Sequence, residues 1–197
     1  MAILKNVELW WAKLDPKAPV KNQDADKPDY WDVQVRTTDK AYATAMIKEN
    51  IKFKPLKRIV KDDNGNAMEN ELGEKVREVV KDENGKPYFF VNLRKKVTKV
   101  DGSAQQPVQL VAGDLSAINP KEMGNATIGN VRVFQYEYTY QGKKGIANML
   151  MAIQVTKLIK YEPKAQEDAF EITEMEVVKI GDNQTIDNSD LDDDIDF

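Results

Sequence analysis

The stretch VRVFQYEYTYQGKKGIANMLMAIQVTKLIKYE, residues 131–162, decides the fold because it predicts two long strands joined by a tight turn. Val131 and Val133 begin one face of the first strand, since alternate residues of a strand share a face. QGKKG supplies the turn, and residues 146–162 alternate again, with Val, Thr and Ile content that favours a strand. A buried helix over residues 146–162 is the alternative.

Alternation with a period of two also predicts two strands nearer the start of the chain, over residues 3–11 and 30–37. The residues expected to face the core are Ile3, Val7, Leu9 and Trp11 in the first, and Trp31, Val33 and Val35 in the second. Trp10 lies on the face of its strand opposite these apolar residues, and the sequence is compatible with either a core or a surface position for it.

The middle of the chain combines one predicted helix with hairpin signals. TDKAYATAMIKEN, residues 38–50, is rich in alanine and predicts the helix. VKDDNGN and VKDENGK each contain Asn-Gly, which predicts a type I′ hairpin turn, and the second is expected to join residues 75–80 to residues 87–97. A further strand is predicted over residues 108–114. Strands, long hairpins and a short helix indicate a mainly β protein built as a small barrel.

Two of the predicted strands carry aromatic and basic side chains on one face. In residues 88–96 the even positions are Tyr88, Phe90, Asn92, Arg94 and Lys96, and in residues 131–140 they are Arg132, Phe134, Tyr136, Tyr138 and Tyr140. Bases of a single strand stack on flat rings at about 1–3 kcal/mol each, while Lys and Arg contact the phosphates. Aromatic faces in β-proteins are also often core or cross-strand pairs, so the structural interpretation stays open.

Basic clusters lie close to these strands, in residues 52–58, 94–99 and 141–144. The pattern therefore predicts a nucleic-acid groove. The candidate DNA-binding residues are Lys54, Lys57, Arg58, Tyr88, Phe90, Arg94, Lys96, Arg132, Tyr136, Tyr138, Tyr140, Lys143 and Lys144.

The net charge of −4 conceals a basic body and an acidic end. Residues 182–197 hold seven Asp and no Lys or Arg, so residues 1–181 carry a net charge of +3. This body suits a polyanionic partner, because phosphate binding depends on local positive charge. The acidic density of residues 182–197 predicts disorder.

Enzymatic functions are disfavoured by what the sequence lacks. The chain has no Cys and no His, which excludes disulfides, thiolate or imidazole zinc sites and His-dependent nucleophilic catalysis. No phosphate-binding glycine loop is present, so we expect a protein that is not an enzyme and has no metal site or cofactor. The sequence shows no targeting segment and no apolar run of about 18 residues, so a cytoplasmic protein with no membrane partner is expected.

Two segments resemble a known family. DLDDDIDF, residues 190–197, looks like the acidic tip of bacterial and phage single-stranded DNA-binding proteins, and residues 128–163 are similar to the corresponding part of the phage proteins. Asp196 stands where the bacterial tip has Pro, and the Gly/Gln-rich linker of the bacterial proteins is absent, which favours a phage origin. The resemblance implies an OB-fold-like five-stranded barrel in residues 1–180 and a disordered acidic tail in residues 181–197.

The resemblance also implies a function. Such a protein coats and protects single-stranded DNA in phage replication, recombination and repair. Its tail recruits replication proteins (DNA polymerase, helicase or primase, nuclease) and competes with DNA. The tail residues expected to bind partners are Asp190, Asp192, Asp193, Asp194, Asp196 and Phe197. A homodimer is left open, as are two alternatives: a phage structural or interaction protein without nucleic-acid affinity, and an RNA-binding OB domain.

Overall fold

A computed structural model describes residues 1–161 of the chain. The predicted domain boundary near residue 180 and the acidic segment lie outside the described residues. The strands are β1 Ala2–Lys13, β2 Tyr30–Thr37, β3 Lys54–Pro55, β4 Lys57–Ile59, β5 Arg77–Val79, β6 Phe89–Lys96, β7 Gln109–Ala112, β8 Thr127–Tyr140 and β9 Lys143–Lys157. One α-helix, α1 Lys40–Ala45, follows β2, and a 3₁₀ turn covers Pro120–Glu122.

Five strands close into a barrel. β1 pairs with β2 and β8, β2 pairs with β6, and β8 pairs with β9, all antiparallel. A parallel contact between β6 and β9, at Arg94 and Met149, completes the circuit. The closed order β1-β2-β6-β9-β8 confirms the predicted mainly β, OB-fold-like five-stranded barrel.

The long hairpin predicted for residues 131–162 is present and forms one side of the barrel. β8 and β9 pair from Ile128 and Lys157 at the base to Tyr140 and Lys143 at the tip. The strand prediction for this segment is therefore confirmed over Lys143–Lys157, and the helical alternative is wrong.

The barrel encloses a core of branched aliphatic side chains around Trp31. The largest fully buried side chains include Leu4, Val7, Leu9, Trp31, Val33, Val35, Leu93, Val131, Val133, Leu150 and Ile153. The predicted core positions of β2 are thus confirmed, as are Val7 and Leu9. The buried indole N–H of Trp31 also has a hydrogen-bond partner, because Nε1 donates to the carbonyl oxygen of Asp15 at 3.1 Å.

Two residues of β1 expected in the core lie on the surface. Ile3 is 54% exposed and Trp11 is 60% exposed, so both predictions are wrong. The pairing register of β1 shifts between Leu4 and Val7 and again after Trp10, and Asn6 and Trp11 both have φ of 52°. A bulge adds one residue to a strand, and the side chains beyond it change faces.

The predicted helix is present but short. α1 spans Lys40–Ala45 rather than residues 38–50, and successive turns continue to Asn50. Asp39 caps it by accepting the backbone N–H of Tyr42 at 3.0 Å.

An exposed arm, residues 56–88, projects from the barrel between β3 and β6. Its own two-stranded sheet pairs β4 with β5. The predicted hairpin joining residues 75–80 to residues 87–97 is therefore present only around its turn, where Lys81 and Pro87 form an antiparallel bridge. Two rings of three backbone hydrogen bonds hold the arm together. One links residues 60, 68 and 76, and the other links residues 56, 80 and 88, with N···O distances of 2.8–3.0 Å. None of residues 52–92 is buried, so local hydrogen bonds rather than a core define the arm.

The two Asn-Gly turns of the arm lie where predicted but have another geometry. The Gly65 N–H donates to Asp62 O at 3.0 Å, and the Asp62 N–H donates to Asn66 O at 2.9 Å. Gly65 has φ of 81°, whereas Asn64 is not among the residues with positive φ. This is a type I turn followed by a glycine bulge rather than a type I′ turn, and the second unit, around Gly85, repeats it.

Gly129 of β8 offers a test of how tightly the barrel wall is packed. A Cβ added there would lie 2.6 Å from the carbonyl oxygen of Gln154 on β9, whereas a Cβ at Gly113 meets nothing within 4 Å. We expect Gly129→Ala to lower the free energy of unfolding by about 1–3 kcal/mol, because the neighbouring backbone must move. Gly113→Ala is the matched control, with an effect within about 0.5 kcal/mol. Urea denaturation of both variants measures the difference, and equal effects would contradict this account of the wall.

Candidate nucleic-acid interface

β2 and β6 turn one face of their paired strands outward, opposite the side that carries Trp31. The cross-strand pairs on this face are Tyr30 with Lys96, Asp32 with Arg94, Gln34 with Asn92, and Arg36 with Phe90. β1 adds Trp10 opposite Gln34, and Glu8 opposite Arg36. We call these residues the barrel face. It combines rings, amides and charges on a single β surface.

One end of the barrel face is organised around Arg36. Its guanidinium carbon lies 4.0 Å from the centroid of the Trp10 ring and 6.0 Å from that of Tyr88. Its Nε donates to Oε1 of Gln34 at 2.6 Å. Burial lowers the pKa of Arg36, and the nearby Glu8 carboxylate opposes this, so the guanidinium stays charged at neutral pH.

The rings beside Arg36 are fixed by Glu8. Trp10 Nε1 donates to one carboxylate oxygen of Glu8 at 2.9 Å, and the Tyr88 hydroxyl lies 3.5 Å from the other. Burial, followed by the charge of Glu8, raises the pKa of Tyr88. The phenol therefore remains neutral and can donate a hydrogen bond.

The other end of the barrel face holds Arg94 between a ring and a carboxylate. Its guanidinium carbon lies 4.4 Å from the Tyr30 ring centroid, and its Nε lies 3.5 Å from Oδ2 of Asp32. Burial raises the pKa of the Asp32 carboxyl, although the charges of Arg94 and Lys13 act in the opposite direction. The Arg94 side chain is 57% exposed, so it can contact a ligand while keeping these partners.

Beside the barrel face, β8 carries the row of rings that the sequence predicts. Phe134, Tyr136, Tyr138 and Tyr140 are 37%, 46%, 47% and 67% exposed. The rings of Phe134 and Tyr136 are 6.3 Å apart at 25°, close to parallel. Tyr138 lies directly over Gly145 of β9, where an added Cβ would be 2.6 Å from the ring. We call these four side chains the aromatic row.

The structure brings the aromatic row and the β6 cations together. Arg94, Lys96 and Tyr136 line one cavity of about 380 Å³, with Met149 of β9 beside them. Lys143 and Lys144 lie at the tip of the hairpin, where Lys143 pairs with Tyr140 on the face of the aromatic row, whereas Lys144 pairs with Thr139 on the other face. The candidates that converge on one surface thus come from β6, β8 and β9.

The remaining predicted residues are more dispersed. Lys54 of β3 pairs with Phe90, at the edge of the sheet beyond β6. Lys57 and Arg58 belong to the arm, and Arg58 Nε is already engaged by Glu78 at 2.6 Å. Arg132 contacts the sulfur of Met1 at 3.7 Å. These four residues do not line the cavity that holds Tyr136.

Three aromatic or cationic residues of the barrel face were not among the predicted candidates: Trp10, Tyr30 and Arg36. The alternation that places Trp31 inside also places Tyr30 and Arg36 on the opposite face of β2, next to the predicted strand face of β6, where Arg36 is only 8% exposed. That signal was present in the sequence, but the pairing of β2 with β6 was needed to use it.

Within residues 1–161, no group of three or more Asp or Glu side chains is arranged to hold a metal ion. In that same part of the chain, no helix is long and apolar enough to span a membrane.

No protein-family profile matches the sequence, and no curated protein sequence matches it. Among solved structures, the single-stranded DNA-binding protein of bacteriophage Enc34 in complex with single-stranded DNA is similar. Its identity is 12%, its TM-score is 0.46, and the match covers 83% of this chain and 88% of that one. gp2.5, a single-stranded DNA-binding protein encoded by bacteriophage T7, matches at 10% identity and a TM-score of 0.47, over 87% of this chain and 96% of that one. Both of these structural neighbours are phage single-stranded DNA-binding proteins.

Asp32 allows a test of the electrostatics of the barrel face. Asp32 has a higher pKa in the folded protein than in the unfolded chain, so its ionisation lowers the free energy of unfolding as the pH rises through the folded-state pKa. At low pH the carboxyl is protonated in both the folded and the unfolded state, and this loss of stability is absent. We therefore expect Asp32→Asn to unfold at higher urea than the unmodified chain at about pH 7, with the difference vanishing near about pH 3.

Asp26→Asn, on the exposed loop between β1 and β2, is the matched control for this pH series. Lower stability of Asp32→Asn at neutral pH would show that the ion pair with Arg94 outweighs the burial of the carboxylate.

Proposed function

We propose that this protein binds single-stranded DNA without sequence specificity, along the aromatic row and across the barrel face. The observation that carries the proposal is the row of four exposed rings on β8, next to a cavity lined by Arg94 and Lys96. Exposed rings in series suit stacked bases, and cations beside them suit the phosphates that link those bases.

The position of these groups in the barrel supports the proposal. OB-folds bind oligonucleotides on the face of their second and third strands and with the loops after the first and fourth strands. Here the second and third barrel strands are β2 and β6, and the fourth and fifth are joined at the hairpin tip, residues 141–142. The aromatic row leads from the barrel towards this tip.

The charges of the barrel face favour contacts that do not depend on base identity. Asp32 lies beside Arg94, and Glu8 lies near the charge of Arg36, so both carboxylate charges are partly compensated. Lys96, Lys143 and Lys144 have no ion pair among residues 1–161 and can follow a phosphate chain. Binding of this kind weakens as salt rises, because each phosphate contact releases counterions.

The biological role we propose is that of a phage protein that coats and protects single-stranded DNA during replication, recombination and repair in the cytoplasm of the host. In this proposal the acidic segment, residues 181–197, recruits replication enzymes and competes with DNA for the basic surface. Seven aspartates and Phe197 give it the charge of a short phosphate chain and one ring.

Substitution of the aromatic row tests DNA binding directly. We expect Tyr136→Ala and Tyr138→Ala each to weaken binding of labelled oligo-dT by about 1–3 kcal/mol, because each loses a stacking partner. Tyr161→Ala is the matched control, since Tyr161 is 62% exposed and its backbone N–H bonds to Glu122 near the 3₁₀ turn. Fluorescence anisotropy measures all three dissociation constants.

The same titration separates the alternatives. Tight binding of oligo-dT with weak binding of duplex DNA and single-stranded RNA supports the proposal. Equal binding of RNA favours an RNA-binding domain, and no binding of any nucleic acid favours a structural or interaction protein. If Tyr136→Ala and Tyr138→Ala bind oligo-dT as tightly as Tyr161→Ala, the aromatic row is not the binding surface.

Removal of residues 188–197 tests the competition. This deletion takes away five aspartates and Phe197, and we expect oligo-dT to bind more tightly, most visibly at low salt where charge effects are least screened. A chain in which only Phe197 is changed to Ala keeps the charge and serves as the control for the ring. Unchanged affinity of the truncated chain across the salt series rules out competition by this segment.

A further inference from the structure

The cavity that joins β6 to the β8–β9 hairpin has features that a phosphate-binding surface does not require. It measures about 380 Å³, at the lower end of the usual range for small-molecule pockets. The turn that follows β6, residues 97–105, forms its third side. The volume is thus bounded by three barrel strands, β6, β8 and β9, and a hairpin-like loop, rather than by an open strand face.

The lining of this cavity is matched to a flat, uncharged group with a phosphate nearby. Tyr136 supplies a ring and Met149 a polarizable thioether, while Arg94, Lys96 and Lys99 supply positive charge without a lining carboxylate. Two other cavities of similar size differ in this respect. The one beside the loop after β1 includes Asp15, and the one beside Arg36 includes Glu8 and Asp39.

Two carboxamide side chains line the cavity, and they differ in whether their polar atoms are free to bind a ligand. Asn148 is held on both sides, because its Nδ2 donates to Asn50 O at 2.9 Å and its Oδ1 accepts from Gln135 Nε2 at 3.0 Å. The Gln105 side chain makes no hydrogen bond within residues 1–161, although its backbone N–H is fixed to Val97 O at 2.7 Å. Gln105 therefore presents an unused donor and acceptor to the cavity from a fixed backbone position.

We propose that this cavity binds one nucleobase of the DNA strand, turned out of the row of stacked bases. The base stacks against Tyr136 above Met149, its phosphate lies between Lys96 and Lys99, and its polar edge is read by the Gln105 carboxamide. A carboxamide offers one donor and one acceptor side by side, and the fixed backbone of Gln105 favours the base whose edge brings its own donor and acceptor opposite them. The inference rests on the proposed function and adds a modest base preference to otherwise unspecific binding.

The test compares base preferences rather than affinities. Anisotropy titrations with oligo-dA, oligo-dC and oligo-dT of equal length give three dissociation constants for the full chain and for Gln105→Ala. Differences in stacking among the free oligonucleotides are the same for both proteins, so the change in preference reports on the cavity alone. Gln109→Ala is the matched control, because Gln109 lies exposed on β7 and does not line the cavity.

We expect Gln105→Ala to reduce the spread between the tightest and weakest oligonucleotide by about fivefold or more, as the loss of a base-edge contact does. Gln109→Ala should leave that spread unchanged. An equal shift for all three oligonucleotides, or no shift, overturns the base site while leaving single-stranded DNA binding intact. Failure of the full chain to bind any of them is a different result, since it refutes the proposed function itself.

Discussion

The parallel contact between β6 and β9, at Arg94 and Met149, is the constraint on which the arrangement of the whole surface depends. It closes the barrel, and the same contact places the cations of β6 against the hairpin that carries the aromatic row. If the two strands stayed apart, Arg94 and Tyr136 would belong to separate surfaces. Closure of the core and assembly of the candidate site are therefore the same structural event.

The barrel and the arm are stabilised in different ways. Leu93, Val131 and Leu150 are fully buried, so burial of apolar surface holds the strands of the barrel together. The arm has no buried residue and relies on its two rings of backbone hydrogen bonds and on turns capped by Asp side chains. Exposed backbone hydrogen bonds open more easily than those above a core, so the arm is the part of the described chain where local opening is expected first.

Sequence alternation predicted the parts of the structure that depend on neighbouring residues. The inward Trp31 and the outward Tyr136 follow from a period of two alone. Ile3 and Trp11 were wrongly predicted to be buried because bulges shift the register of β1. The hydrophobic pattern of the sequence does not show where a bulge adds a residue to a strand. The pairing of Lys57–Ile59 with Arg77–Val79 was missed because the similar Asn-Gly units favour pairing across the nearest turn, whereas the arm closes over a longer one.

The candidate site was predictable as a set of chemical types but not as a geometry. Rings on β8 and cations on β6 could be read from the sequence, yet Arg36 gains its place only because β2 lies between β1 and β6. The order of strands also explains why Arg58 is separated from the cavity although it lies in a basic cluster. A basic cluster in the sequence predicts a binding surface only where the fold places its residues on one face. Here the cations that meet this condition are those that lie beside the β8–β9 hairpin.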